Sequence, residues 1–467
     1  MTAQTLLLTA RRGAPFVLAR VVVPCATLVP VLVALVHVHQ WGRDVPFWDE
    51  WERSAHLAVR TADGSLSVDD VLRAHNEHRL LFSALVTVAS VRLAGWSLVG
   101  EMYVSVALSL VAFLLLLSLV RAQADDRRTV LLLAVPLAML VFWPAQWFNW
   151  LVGFQTQVYG FMAFSIAAIR VVSGRTRGWG ALLAAGALAN GAQFSQAGGI
   201  AIWPAVLPGL WMLGYRRRQL AAWVAMATAS LGVFFHGYVV GDASRADAGA
   251  LGGFALAYLG GPFVGPFDDR LVTAAIATAV AGLAAFAWIL ATVLRQEGGW
   301  SRAAPWTMLV LLGLGTAVLV ARNRAHLGLS YALVSRYATP ASLLWLGLCG
   351  LCGQVIEGRV RGLSGGRVAV AASALTLALV VALYPPTRAR ASSHGLVSDD
   401  HVACLRQLPE TGRFDCLAGT HPAFDADFPD AAHRQRILAL ADGLASHGLG
   451  VFFGIESRIV LTARSGP

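Results

Sequence analysis

Lysine is missing altogether: each of the 36 basic side chains in this 467-residue chain is an arginine. Acids and bases together make up only 13% of the residues, about half the share of an ordinary soluble domain. With 57% of the residues hydrophobic, too few polar groups remain to cover a water-soluble globule. A net charge of +10 is often the footprint of nucleic-acid binding. Here, however, the arginines stand between apolar blocks, where they orient helices, so nucleic acid is excluded as a partner. A cleavable signal is also missing. Arg11 and Arg12 precede the first apolar run, but no A-x-A site follows it, and Cys25 lacks the small-residue context of a lipoprotein site. The run is read as a retained helix. Internal repeats and low-complexity tracts are absent, and arginine-only usage with abundant Ala, Gly and Val fits a GC-rich bacterial genome.

What is there is a series of apolar blocks. The first runs from Pro15 to Val38, and others lie at 101–120, 129–143, 157–172, 179–192, 199–214, 219–240, 271–295, 305–321, 340–356 and 368–384. They predict an all-α polytopic membrane protein with about 11 transmembrane helices, several shorter than the ~20 residues of an ideal span. The clusters "RAQADDRR" (121–128), "SGRTRG" (173–178), "YRRRQ" (215–219), "RQEGGWSR" (295–302) and "EGRVRG" (357–362) test the topology. Positively charged loops stay in the cytoplasm. All five do so if the N-terminus is cytoplasmic and the block at 80–95 lies along the outer surface instead of spanning. Residues 1–384 then form a transmembrane domain with a large first extracytoplasmic loop (39–100), and 385–467 form a small extracytoplasmic C-terminal domain of a bacterial inner-membrane protein. Segment 241–270 is expected to be an outer loop, and an amphipathic helix is expected at 431–448. Cys404 and Cys416 in the tail are candidates for a disulfide, with two free thiols as the alternative. Cys349 and Cys352 lie within a span and are read as packing residues.

Candidate chemistry gathers in the first loop. "VPFWDEWERSAH" (45–56) sets Asp49 and Glu50 between Trp48 and Trp51, and "HNEHR" follows with His75, Asn76, Glu77, His78 and Arg79. Tryptophans at this position can be interfacial anchors and the acids merely solvated. The alternative is that an acid doublet at the membrane edge takes a proton from a substrate lying there. Read as one helical turn, "HNEHR" would put His75 and His78 on a common face. The chemistry needs no cofactor, although His75, His78, Glu77 and Asp49 would suffice for a divalent cation. The aromatic turn "WPAQWFNWLVGFQTQ" (143–157) offers Trp147, Asn149 and Gln155, and "NGAQFSQAGG" (190–199) adds Gln193. Amides among indoles suit a sugar platform, and an interfacial aromatic belt has the same composition.

The order of these features resembles the GT-C superfamily of integral membrane glycosyltransferases, which use polyprenyl-phosphate sugars. The likeness is architectural over the whole chain. Its specific residues are Asp49-Glu50, the juxtamembrane segment from "HNEHR" to "RLAG" (75–95), and "SRYATP" (335–340). "RLAG" matches the glycine-turn ending of the family's juxtamembrane helix, whereas the His-Pro-Pro start is replaced by "HNEHR". The resemblance implies an inverting transfer of a sugar from a polyprenyl-phosphate carrier to a glycan, lipid or protein acceptor at the outer face of the inner membrane. It implies Asp49 and Glu50 as the catalytic pair, Asp49 as base and Glu50 as its neighbour or substitute. It further implies Arg336, with Tyr337, as the group receiving the leaving phosphate, and Arg79 and Arg324 are alternatives. His75, Glu77, His78, Trp147, Asn149, Gln155 and Gln193 would then line the substrate site. For Arg336 the competing reading is a snorkelling interface anchor. A transporter that flips a lipid-linked glycan, or a non-catalytic envelope scaffold, are the rival functions.

Overall fold

The computed structural model describes residues 3–124, 127–238, 247–264, 269–357, 364–411 and 431–453. Among these, one small hairpin interrupts an otherwise helical chain. Helix α1 (Ala3–Trp41) is followed by a π-helical turn (Trp51–Ala55) that leads into α2 (His56–Ala62). Then come α3 (Val68–Leu72), the strands β1 (Ala74–His75) and β2 (His78–Arg79), and α4 (Leu81–Ala94). The middle of the chain forms α5 (Leu98–Gln123), α6 (Arg127–Val141), α7 (Trp147–Trp150), α8 (Thr156–Val172), α9 (Trp179–Gln193), α10 (Ile202–Met212) and α11 (Arg217–Phe235). The remainder forms α12 (Ala248–Gly260), α13 (Asp269–Leu294), α14 (Gly299–Arg324), α15 (Ala338–Glu357), α16 (Ser364–Thr411) and α17 (Ala431–Ser446).

The protein is an all-α polytopic membrane protein. Among the described residues, seven helices are long and apolar enough to cross a bilayer: Val21–Trp41, Leu98–Gln123, Thr129–Trp150, Arg217–Phe235, Arg270–Leu294, Gly299–Leu327 and Ser335–Glu357. The apolar blocks at 157–172, 179–192 and 199–214 are also helical, but α8, α9 and α10 have only 17, 15 and 11 residues. The block at 368–384 lies within α16.

The chain divides into two compact units. The first comprises Met1–Ala34, Ala107–Asn149 and Val158–Thr387; the second comprises Leu35–Val106, Trp150–Gln157 and Arg388–Pro467.

In the first unit α14 and α15 pack along each other, with α6, α10, α12 and α13 against them. Between lipid-embedded helices close approach replaces hydrophobic expulsion as the source of stability, so small residues mark the seams. Gly313 and Gly347 do this here, because a Cβ on either would meet backbone of the facing helix. The buried Trp306 indole fills the space that Gly350 leaves, and its Nε1 donates to Gln123 Oε1 at 2.7 Å. The segment expected to be a loop at 241–270 contains α12 instead. Its glycines hide the helical pattern in the sequence. They also permit the packing, since a Cβ on Gly260 would overlap the Ala275 carbonyl of α13. Asp247 caps α12 by accepting from the Ala250 amide at 2.8 Å, and Phe254, Ala257 and Tyr258 are fully buried.

In the second unit α4 ends at Gly95, whose left-handed backbone (φ 60°) forms an αL-type cap. The Gly95 amide donates to Val91 O and the Trp96 amide to Ser90 O, both at 3.2 Å. Trp96 continues left-handed (φ 63°), with its buried indole donating to Glu101 Oε1 at 3.2 Å. The amphipathic helix expected at 431–448 is α17. It buries Ile437, Ala441 and Leu444 and packs on the π-turn and α2. Beyond it, the Gly450 amide donates to Gly95 O at 2.9 Å. Cys25, Cys349 and Cys352 are free and Cys404 is disulfide-bonded. Cys416 lies outside the described residues, as do the tips 239–246 and 265–268.

The α14–α15 seam yields a prediction. In Gly347→Ala the new Cβ stands 2.5 Å from the Trp306 carbonyl oxygen. The backbone clash, about 1–3 kcal/mol, outweighs the ~1 kcal/mol gain in helix propensity. The variant is expected to melt at a lower temperature in detergent micelles, and an unchanged midpoint would refute this account of the seam.

Candidate functional site

The acid doublet opens the helical stretch that contains the π-turn. Trp48, just before it, is left-handed (φ 47°), a conformation a bulky residue adopts only when its surroundings impose it. Glu50 follows two residues later. Its carboxylate is 1% exposed and accepts from two main-chain amides, Phe47 at 2.7 Å and Phe154 at 2.8 Å. The first ties the helix start to the residue before Trp48, and the second fastens the segment 150–157 to the start of the helix. Burial pushes the Glu50 carboxyl up to about 8. Donors at Phe154 and Phe47 pull it down, and the neighbouring Asp49 adds a smaller push upward.

Asp49 is differently placed. Its side chain is 46% exposed, and its Oδ1 lies 3.5 Å from His75 Nε2. His75 is only 10% exposed and stands edge-on to the Phe154 ring, with centroids 5.7 Å apart. The two adjacent acids therefore divide the work: Glu50 holds the backbone, and Asp49 faces out beside an imidazole. Gln155, in the same turn as Phe154, is buried with them.

"HNEHR" is not a helical turn. Asn76 is left-handed (φ 49°), and the chain reverses into β1 and β2, pairing His75 with His78 and Ala74 with Arg79. Asparagine tolerates that conformation better than most residues, which explains the reversal at this point. His75 and His78 face each other as a cross-strand pair instead of stacking along a helix. His78 Nε2 lies 3.6 Å from Glu77 Oε1, and Arg79 Nη1 donates to Leu72 O at 3.1 Å, tying the hairpin to the end of α3. Among the described residues no three His, Cys, Asp or Glu side chains gather as metal ligands, so the imagined set of His75, His78, Glu77 and Asp49 does not form.

Arg336 belongs to the first unit. It sits in the 3-10 turn Ser335–Tyr337 that precedes α15. Its guanidinium donates to the Tyr331 hydroxyl and lies 5.5 Å and 5.4 Å from the Tyr331 and Tyr337 ring centroids. Asn149 fixes this turn, its Nδ2 donating to Arg336 O at 3.1 Å and Thr339 Oγ1 at 2.7 Å. Thr339 in turn donates to Gln146 Oε1 at 2.6 Å. Trp147 lies one helical step away, its ring edge-on to Phe148 at 5.8 Å. Arg324 ends α14, half-buried. Gln193 is fully occupied inside the bundle, accepting from Trp203 Nε1 at 2.6 Å and donating to Ser230 O at 3.1 Å. The expected sugar platform is thus divided: Trp147 and Asn149 go with Arg336, and Gln155 goes with the acid doublet.

Sequence reading missed Arg53 and Arg73. Together with Arg436 of α17 they line a cavity of about 690 Å³ in the second unit, next to His75. The only signal was a cluster of arginines in the first loop.

The raised Glu50 pKa sets a sign for stability. Between pH 4.5 and about 8 the folded protein keeps this proton while the unfolded chain loses it. Its contribution is therefore greatest below pH 4.5 and is lost as pH rises through 8. Melting midpoints of wild type should fall, relative to Glu50→Gln, as pH rises across this window. Parallel curves would show that Glu50 does not titrate there.

Comparison with protein-family models, with curated proteins and with solved structures finds no match for this chain.

Proposed function

We propose that the protein is an inverting glycosyltransferase of the GT-C type. It moves a sugar from a polyprenyl-phosphate carrier to a cell-envelope acceptor at the outer face of a bacterial inner membrane. The topology that goes with this reading has about 11 spans, several of them short, with the first loop and the tail outside. The observation that carries the proposal is the division of labour in the acid doublet. A half-exposed Asp49 stands 3.5 Å from a buried imidazole and is held there by a second carboxylate locked to main-chain amides.

The reaction breaks the bond between the anomeric carbon and the carrier phosphate and forms one to an acceptor oxygen. Phosphate leaves readily, so the donor side needs little acid catalysis. The acceptor hydroxyl must shed its proton as the anomeric carbon becomes oxocarbenium-like, and Asp49 is the group proposed to take it. A single displacement inverts the anomeric centre. His75 stands beside the Asp49 carboxylate, its Nε2 3.5 Å from Oδ1. On the family resemblance the departing phosphate goes to Arg336, whose planar fork suits its oxygens. The adjoining rings of Tyr331 and Tyr337 support that fork. The acceptor is a glycan, lipid or protein, and no metal is required by this scheme.

The test is transfer by the full chain in lipid nanodiscs, with a polyprenyl-phosphate sugar as donor and envelope extract as acceptor source. Asp49→Asn is expected to cut turnover by about 10²–10⁴-fold. Arg336→Ala should also impair transfer. Full activity in both variants, or movement of the lipid-linked sugar across the bilayer without any new glycosidic bond, would reject the enzyme in favour of a transporter.

A further inference from the structure

The cavity in the second unit is not accounted for by the reaction as proposed. It measures about 690 Å³, inside the range of small-molecule sites, ~300–1,000 Å³. One wall is the π-turn and α2, with Glu52, Arg53 and His56. A second is the run from Arg73 through the hairpin to Asn76, and the third is the face of α17 carrying Arg436, Ile437 and Leu440. Each wall carries a cation, or faces one.

Arg53 is the telling residue. It is 4% exposed, and its Nη1 and Nη2 donate to Asp70 O at 2.6 Å and Val71 O at 2.7 Å. Its Nε has no hydrogen-bond partner among the described residues, and no carboxylate lies within ion-pair distance. Asp70, the nearest acid, is already engaged by the Ser67 hydroxyl, His56 and Arg60. Burial, and then the repulsion of Arg73, lower the guanidinium to about 10, so it remains charged at neutral pH. Arg73 and Arg436 are exposed and likewise have no ion-pair partner among the described residues. Buried charges are normally paired, and with Glu52 the one carboxylate in the lining, three guanidiniums leave an excess of positive charge around the hollow.

A lone phosphate ion would occupy only a small part of this volume. The rest is lined by Asn76 and Glu52, which suit hydroxyls, and by Ile437, Ala439 and Leu440, which suit the C–H face of a sugar ring. We infer that the cavity binds an acidic saccharide, whose carboxylate or phosphate groups pair with Arg53, Arg73 and Arg436. The role of this ligand rests on the function proposed above. His75 lines the cavity and its Nε2 lies 3.5 Å from Asp49 Oδ1, so the cavity adjoins the proposed base and the saccharide is assigned as the acceptor.

Binding to the full chain in nanodiscs, measured by calorimetry without any donor, tests this independently of transfer. The probes are a galacturonate tetramer, a phosphorylated mannose tetramer, neutral maltotetraose and inorganic phosphate. At least one acidic tetramer is expected to bind about tenfold or more tightly than maltotetraose or phosphate, and which one binds distinguishes carboxylate from phosphate recognition. Arg73→Ala and Arg436→Ala lie at exposed positions, and unchanged melting will show that they fold. Each should weaken binding of the acidic tetramer by about tenfold. No binding of either acidic tetramer, equal binding of maltotetraose or phosphate, or wild-type affinity in both variants would each overturn the inference. Loss of transfer in Asp49→Asn with saccharide binding intact separates this site from the catalytic proposal.

Discussion

One buried carboxylate organises the second unit. Glu50 receives two main-chain N–H groups from segments far apart in sequence, one at the mouth of its own helix and one in the short stretch 150–157. An amide left unpaired in such a place would be costly, and so would a carboxylate without donors. The clasp therefore fixes the left-handed Trp48, the direction of Asp49 and the position of Phe154 beside His75 in one arrangement. Its raised pKa expresses the same balance, with burial outweighing the donors. Protonation would weaken Glu50 as an acceptor for these two amides, so its protonation state bears on the firmness of the arrangement as well as on its charge.

The first unit relies on a different principle. Its helices meet through glycines and are pinned by a few buried polar ties: Trp306 to Gln123, Gln193 to Trp203, and Asn149 to Thr339. Where no water competes, each tie satisfies groups that lipid cannot. The Arg336 turn is part of this network through Asn149. Its guanidinium lies against two neighbouring tyrosine rings and is positioned by packing as much as by charge.

How much of this was legible in the sequence follows from how local each determinant is. The apolar blocks, the Gly95 helix stop and α17 rest on composition and on neighbours a few residues away, and the sequence carries them plainly. The "HNEHR" reversal was misread because a period-three spacing of histidines looks helical, while the decision lies with the backbone of Asn76. Helix α12 was hidden by the glycines that let it pack. The division of roles between Asp49 and Glu50 depends on a donor at Phe154, about a hundred residues away in the chain, and no spacing rule reports it. The arginine-lined hollow is the extreme case, since Arg53 and Arg436 stand near opposite ends of the sequence.

The Gly450–Gly95 hydrogen bond and the docking of α17 on the π-turn have a bearing on biosynthesis. A ribosome releases the first loop long before residues 431–453 exist, so during most of translation that loop must wait with its inner face uncovered. Residues 431–453 close it. The covering of the π-turn and α2 by α17 can therefore form only after the helices that precede α17 have been made.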